Sequence, residues 1–164
     1  MPISDKQREF WNTKDPSEQF DVIVFEHSRF AEPIRLVLNQ YTSMIFNGEE
    51  YIPAAGKLEK PNQEADLIPT ATLQFPRIHI GDIFKQYTQI ISAFGWNESI
   101  TMRLMEFTEL DMNTPTKSWT LYVAPDGIRL SKTTVQIKAT DYNPMSLNIS
   151  TIYTIEEYKG LARV

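Results

Sequence analysis

The chain contains no cysteine, which excludes disulfides, thiol nucleophiles, thiolate zinc sites and iron–sulfur clusters together. It has only two histidines, His27 and His79, and neither has a partner at metal-ligand spacing. Six glycines in 164 residues leave little material for a phosphate cradle. No Gly-x-Ser-x-Gly elbow, phosphate-binding loop, dinucleotide fingerprint or His-Glu-x-x-His occurs. Every apolar run falls well short of the ~20 residues that span a bilayer, so membrane insertion is not expected. The opening residues 1–11 are polar and charged and lack an apolar h-region. They do not read as a secretory leader, and synthesis is expected in the cytoplasm. The net charge is −5 and no basic block is present, which argues against specific nucleic-acid recognition or a general phosphate-binding surface.

Carboxylates do occur in pairs: Glu49 with Glu50, Glu64 with Asp66, and Glu156 with Glu157. A glycosidase needs two carboxylates facing each other across a cleft, whereas adjacent residues on a strand point to opposite faces. Glu49 and Glu50 therefore read as a solvated hairpin edge. Residues 111–116 are too thin a match to a calcium loop. No catalytic residue, metal or cofactor is assigned, and a non-catalytic, structural protein is expected. An enzyme would require His27 or His79 held against a carboxylate in a pocket. A carbohydrate- or peptide-binding module, the alternative function, would require Tyr51, Phe75 or Trp96 exposed and coplanar, with Phe94 beside them.

What is present points to a sheet. Hydrophobic residues make up 41%, aromatics 12% and charged residues 23%, a globular balance. Phe20 to Glu26 and Ile34 to Leu38 are β runs rich in branched and aromatic side chains. Ser43 to Phe46 and Glu49 to Ile52 flank Asn47-Gly48, a pair that tolerates the positive φ angles of a type I′ hairpin turn. Thr70 to Phe75 places Ala71, Leu73 and Phe75 on one strand face. Ile100 to Phe107, Trp119 to Ala124 and Ile128 to Thr140 predict further strands, with Asp126-Gly127 as a second hairpin turn and Val135 and Ile137 sharing a face. Asp82 to Phe94 predicts a helix, capped by Asp82, with Ile83, Phe84, Tyr87, Ile90 and Ile91 as its apolar stripe. A short helix, capped by Ser4 and carrying Phe10 and Trp11, precedes Asp15-Pro16.

The expected fold is mainly β with minor α: a β-barrel or sandwich, one or two helices, and extended terminal arms. The domain is expected over residues 17–142, between a helical arm at 1–16 and a C-terminal arm at 143–164. Residues 53–69 read as a long, proline-punctuated loop.

Phe46-Asn47-Gly48-Glu49-Glu50-Tyr51-Ile52-Pro53, followed by Pro69-Thr70-Ala71-Thr72-Leu73-Gln74-Phe75, resembles the N-terminal half of the minor tail protein L family of long-tailed bacteriophages. The stretch from His27 to Val37 is similar to the opening of a family of phage and prophage tail-module proteins of comparable length. The resemblance implies a barrel-like hub domain in a ring where the tail tube meets the tip. It also implies a virion location, with assembly in the cytoplasm of a bacterial host. Implied partners are copies of the chain itself, together with tail tube, tape measure, and hub or fibre proteins. The iron–sulfur cluster of the L family is not carried over, because this chain has no cysteine.

Ring subunits clasp their neighbours with arms and loops. The residues expected at such contacts are Phe10, Trp11, Leu58, Leu67, Ile152, Tyr153, Ile155, Tyr158 and Leu161. Apolar side chains in that number are a liability in free solvent and call for cover.

Overall fold

In the segment Phe20–Phe25 five of six side chains are apolar, and successive side chains on a strand point to opposite faces. Such a strand needs cover on both sides. In the structure, a computed structural model that describes residues 18–61 and 68–143, this segment lies in the middle of a ten-stranded sheet. The strands are β1 (Gln19–Glu26), β2 (Ile34–Leu38), β3 (Met44–Phe46), β4 (Glu49–Ala54), β5 (Lys57–Glu59), β6 (Thr70–Pro76), β7 (Ile100–Thr108), β8 (Lys117–Val123), β9 (Ile128–Leu130) and β10 (Thr134–Thr140). Their order is β3-β4-β2-β1-β7-β8-β10-β6-β5, with β9 paired to β10. One helix, α1 (Asp82–Phe94), joins them. The expectation of a mainly β fold with minor α holds.

Two apolar cores share β1. On one face Ile23 and Phe25 lie opposite Leu104 and Met102 of β7. They pack with Leu36, Leu73, Phe75, Leu121 and Ile137 into the main core, which α1 closes. Phe84 of the helix meets Phe25 edge-on, ring centres 4.6 Å apart. On the other face Phe20, Val22 and Val24 join Val37 and Phe107 beneath the β3–β4 hairpin, which contributes Phe46 and Tyr51. The Phe46 ring centre lies 4.9 Å from that of Phe107 and 5.5 Å from that of Tyr51.

The Asn-Gly hairpin forms as expected. Asn47 and Gly48 both take positive φ, 51° and 79°, which fits a primed turn, and Phe46 pairs with Glu49. Beyond it β4 runs parallel to β2, and only Ala55 and Gly56 separate β4 from β5. A Cβ on Gly56 would stand 2.9 Å from Cδ1 of Phe75, so this link passes too close to β6 for a side chain. Among the described residues no ladder joins β5 back to β3.

Three expectations change. Residues 53–69 are not all loop: Pro53 and Ala54 belong to β4, and Lys57–Glu59 pair with β6. The charged–apolar–charged triplet Lys57-Leu58-Glu59 is too short to show a period, yet Leu58 reaches the main core. Asp126-Gly127 is not a hairpin turn but part of a 3₁₀ turn over Pro125–Gly127, and β9 pairs with β10 instead. The hairpin turn is Ser131-Lys132-Thr133, where the Ser131 hydroxyl accepts the Thr133 and Thr134 N–H groups. Finally, Asp82 makes no side-chain cap; Gly81 precedes the helix, where a Cβ would stand 2.8 Å from Val135. In α1, Phe84 and Ile91 are buried and Tyr87 packs partly against the core, which leaves Ile90 on the flank, 41% exposed.

Because Phe25 touches both the helix and the β7 partner strand, Phe25→Ala is expected to cost about 3–5 kcal/mol. Ile45→Ala, at an exposed position, should stay within about 0.5 kcal/mol. Urea unfolding of the two variants checks the contrast.

Candidate functional site

Most residues expected at partner contacts (Phe10, Trp11, Leu67, Ile152, Tyr153, Ile155, Tyr158 and Leu161) lie outside the described residues. Leu58 is described: it pairs with Leu73 across β5–β6 and lies partly buried against the main core. The aromatic platform is not assembled. Tyr51 and Phe75 are 4% and 1% exposed, in different cores. Trp96 packs partly on the main core and donates from Nε1 to Ser92 Oγ at 3.3 Å, while Phe94 sits under the Arg29 guanidinium, 4.3 Å from its ring centre.

Sequence distance hides the constellation that does form. The loop after β1 and the segment between α1 and β7 enclose a cleft of about 360 Å³, lined among others by Glu26, His27, Ser28, Phe30 and Glu98. Phe30 holds the loop down by packing on Tyr87 of α1, ring centres 4.5 Å apart. The Ser28 N–H donates to Glu98 Oε1 at 3.0 Å, and the Ser28 hydroxyl donates to the same oxygen. His27 Nε2 approaches that oxygen at 3.5 Å, with its side chain only 2% exposed. Two hydrogen bonds from Ser28 thus converge on one carboxylate oxygen, while the buried His27 Nε2 stands beside it without a hydrogen-bond partner among the described residues.

This places a histidine against a carboxylate in a cleft, the arrangement an enzyme would require, and its chemistry can be worked through. The Arg29 N–H donates to His27 Nδ1 at 3.0 Å, which puts the proton of the neutral ring on Nε2, facing Glu98. Nδ1 is therefore occupied by the chain itself, whereas Nε2 faces Glu98 without a hydrogen-bond partner among the described residues. The Ser28 hydroxyl donates to Glu98 rather than to the histidine, so no serine–histidine pair forms. The geometry is that of a latch joining the β1–β2 loop to the segment before β7. His79, by contrast, is exposed in the turn Arg77–Gly81 with φ of 69°.

A second charged group closes one end of the main core. Asp21 and Glu106 are cross-strand partners on β1 and β7, so their side chains share a face. Lys60, just past β5, reaches Glu106 at 2.6 Å and Asp21 at 2.8 Å. Glu106 is 4% exposed, and an unpaired carboxylate there would be costly. Burial works to lower the Lys60 pKa, but the hydrogen bonds and charges of the two carboxylates outweigh it, and the value lies above the ordinary 10.5. The third loop of note spends its acid locally: Asp111 Oδ1 accepts the N–H groups of Asn113 and Thr114 at 3.0 and 3.1 Å. Among the described residues no cluster of three or more His, Asp or Glu could hold a metal ion. No described helix is long and apolar enough to cross a membrane.

Two measurements follow from these clusters. The Glu98 carboxyl lies below its ordinary 4.5, first through the Ser28 hydroxyl and then through the Ser28 N–H, with burial opposing them. A lowered pKa means that the latch contributes fully above the ordinary value and is lost as pH falls through the lowered one. The Ser28 amide should exchange its hydrogen about tenfold faster in Glu98→Ala than in the parent at pH 7. The parent should approach the variant in acid, once intrinsic rates are corrected. Lys60→Met leaves buried Glu106 with only the more distant Lys117, 3.8 Å from its Oε2, and is expected to cost about 1–3 kcal/mol in urea unfolding.

No protein-family profile matches this chain, and no curated protein is significantly similar to it.

Proposed function

We propose that this chain is a non-catalytic structural subunit that assembles with copies of itself, as a ring in a bacteriophage tail tip that joins the tail tube to the tip hub. The observation that carries the assembly reading is the outer face of the β3–β4 hairpin. Register pairs Ile45 with Glu50 and Met44 with Tyr51, so Tyr51 points into the second core while Ile45 and Ile52 point away. Ile45 is 64% and Ile52 49% exposed. β3 is moreover an end strand of the sheet, with main-chain groups on one side that no described strand pairs. Apolar side chains on an open sheet edge are a pairing surface, and here Glu50, the register partner of Ile45, is the one charge that this face of the hairpin sets among them.

The phage assignment rests on resemblance. The similar segments map onto the start of the β1–β2 loop through β2, the β3–β4 hairpin, and β6, so they include the hairpin whose outer face is exposed. A net charge of −5 is compatible with a wall along which DNA passes without sticking. Tail tube, tape measure, and hub or fibre proteins are the corresponding partners, and the virion tail tip the corresponding location.

Mass photometry and negative-stain microscopy of the purified full chain test the assembly reading. Closed rings of one subunit number are expected. A monomer across the micromolar range would overturn self-assembly. A tape-measure gene beside the coding sequence is the matching genomic expectation for the tail.

A further inference from the structure

The outer face around β9 and β10 carries two adjoining hollows of about 250 and 270 Å³ that share Asp126, Gly127, Arg129 and Lys138. They form because Gly127 lies against β10: a Cβ there would stand 2.6 Å from the Lys138 carbonyl oxygen. The 3₁₀ turn thus sits low on the sheet, and Arg129 and Lys138 project beside it. Lys138 alternates with buried Ile137 and Ala139, and Arg129 is the register partner of Gln136, so both cations belong to the solvent face of this part of the sheet.

Neither cation lies within ion-pair distance of a carboxylate among the described residues, although the chain is acidic overall. Asp126 lines both hollows, and the two cations outnumber it. Tyr122 and Tyr142 add aromatic surface to the first hollow. The groove therefore asks for a segment with acidic residues flanked by apolar or aromatic ones.

The chain itself contains such a segment. Ile152-Tyr153-Thr154-Ile155-Glu156-Glu157-Tyr158 has two adjacent carboxylates between aromatic and branched side chains. The described part ends at Asn143, next in sequence to groove-lining Tyr142. Glu156 lies 13 positions beyond Asn143, a tether that can span about 40 Å when extended. We infer that the Arg129–Lys138 groove is the docking site of the chain's own acidic segment 152–158, held by Glu156 and Glu157 pairing with the two cations. Charge-assisted hydrogen bonds to arginine give the seat direction, and the tyrosines cover the groove's apolar parts. This inference does not depend on ring assembly, since a segment can dock on its own copy or on a neighbour.

Hydrogen–deuterium exchange on the full chain tests it. Amides of residues 152–158 are expected to exchange about tenfold faster in the double variant Arg129→Glu/Lys138→Glu than in the parent. Protection should return when Glu156→Lys/Glu157→Lys is added, because the charges are then exchanged rather than lost. If the reversed groove fails to fold by circular dichroism, Arg129→Gln/Lys138→Gln serves with the same expected direction. Equal exchange of 152–158 in parent and groove variants overturns the inference. So does failure of the charge swap to restore protection in a folded protein. Protection of groove amides by added inorganic phosphate, with 152–158 unaffected by the groove variants, would instead assign the groove to another anion and also overturn it.

Discussion

The structure depends on one strand being buried on both faces. β1 is flanked by β2 and β7, and its residues from Val22 to Phe25 are all buried. A strand like this cannot sit at an edge or under solvent, because each face carries apolar side chains worth about 1.5–3 kcal/mol apiece when buried. It therefore needs two covers. One is the rest of the sheet folded over Ile23 and Phe25 with α1; the other is the β3–β4 hairpin laid over Val22 and Val24. The hairpin has to leave β4 beside β2, and that placement sends the chain through Ala55 and Gly56 straight to β6.

The same constraint explains why charge is tolerated at the end of the core. Asp21 and Glu106 occupy the face that Ile23 and Leu104 share, where the apolar run of β1 gives way to polar residues. Two carboxylates side by side would repel each other and resist burial. Lys60 answers both, and it comes from the segment that β5 brings alongside β6. The short strand β5 thus brings in Leu58 and, just past its end, the cation of Lys60, which together tie that end of the sheet to its centre.

Much of this was legible in the sequence. Val22 to Phe25 and Ile34 to Leu38 are runs of branched and aromatic residues, and Asn47-Gly48 is a turn with a mechanism. Alternation in Thr70 to Phe75 and Thr134 to Thr140 marks the inward side chains, as the burial of Leu73, Phe75, Val135 and Ile137 shows. What was not legible lies in contacts far apart along the chain. Lys57-Leu58-Glu59 is too short to carry a period, and only pairing with β6 makes it a strand. Asp126-Gly127 carries a hairpin dipeptide, yet close packing of Gly127 on Lys138 decides its conformation. The His27–Ser28–Glu98 latch joins residues 70 and 71 positions apart, and no local pattern announces such a meeting.

The end strands β3 and β5 differ in what they expose. At β5 the exposed side chains are Lys57 and Glu59, which lie 3.7 Å apart and guard the edge with charge. At β3 the exposed side chain is Ile45, with Ile52 on the same face of the hairpin. The second core anchors that hairpin through Phe46 and Tyr51, so its outward face is oriented by packing within the chain itself. A preformed apolar face loses less conformational entropy on association than a loop that must first order. Burial of β1 therefore does more than build the core: by demanding a lid, it places an edge of the sheet that exposes Ile45 and Ile52 beside Glu50.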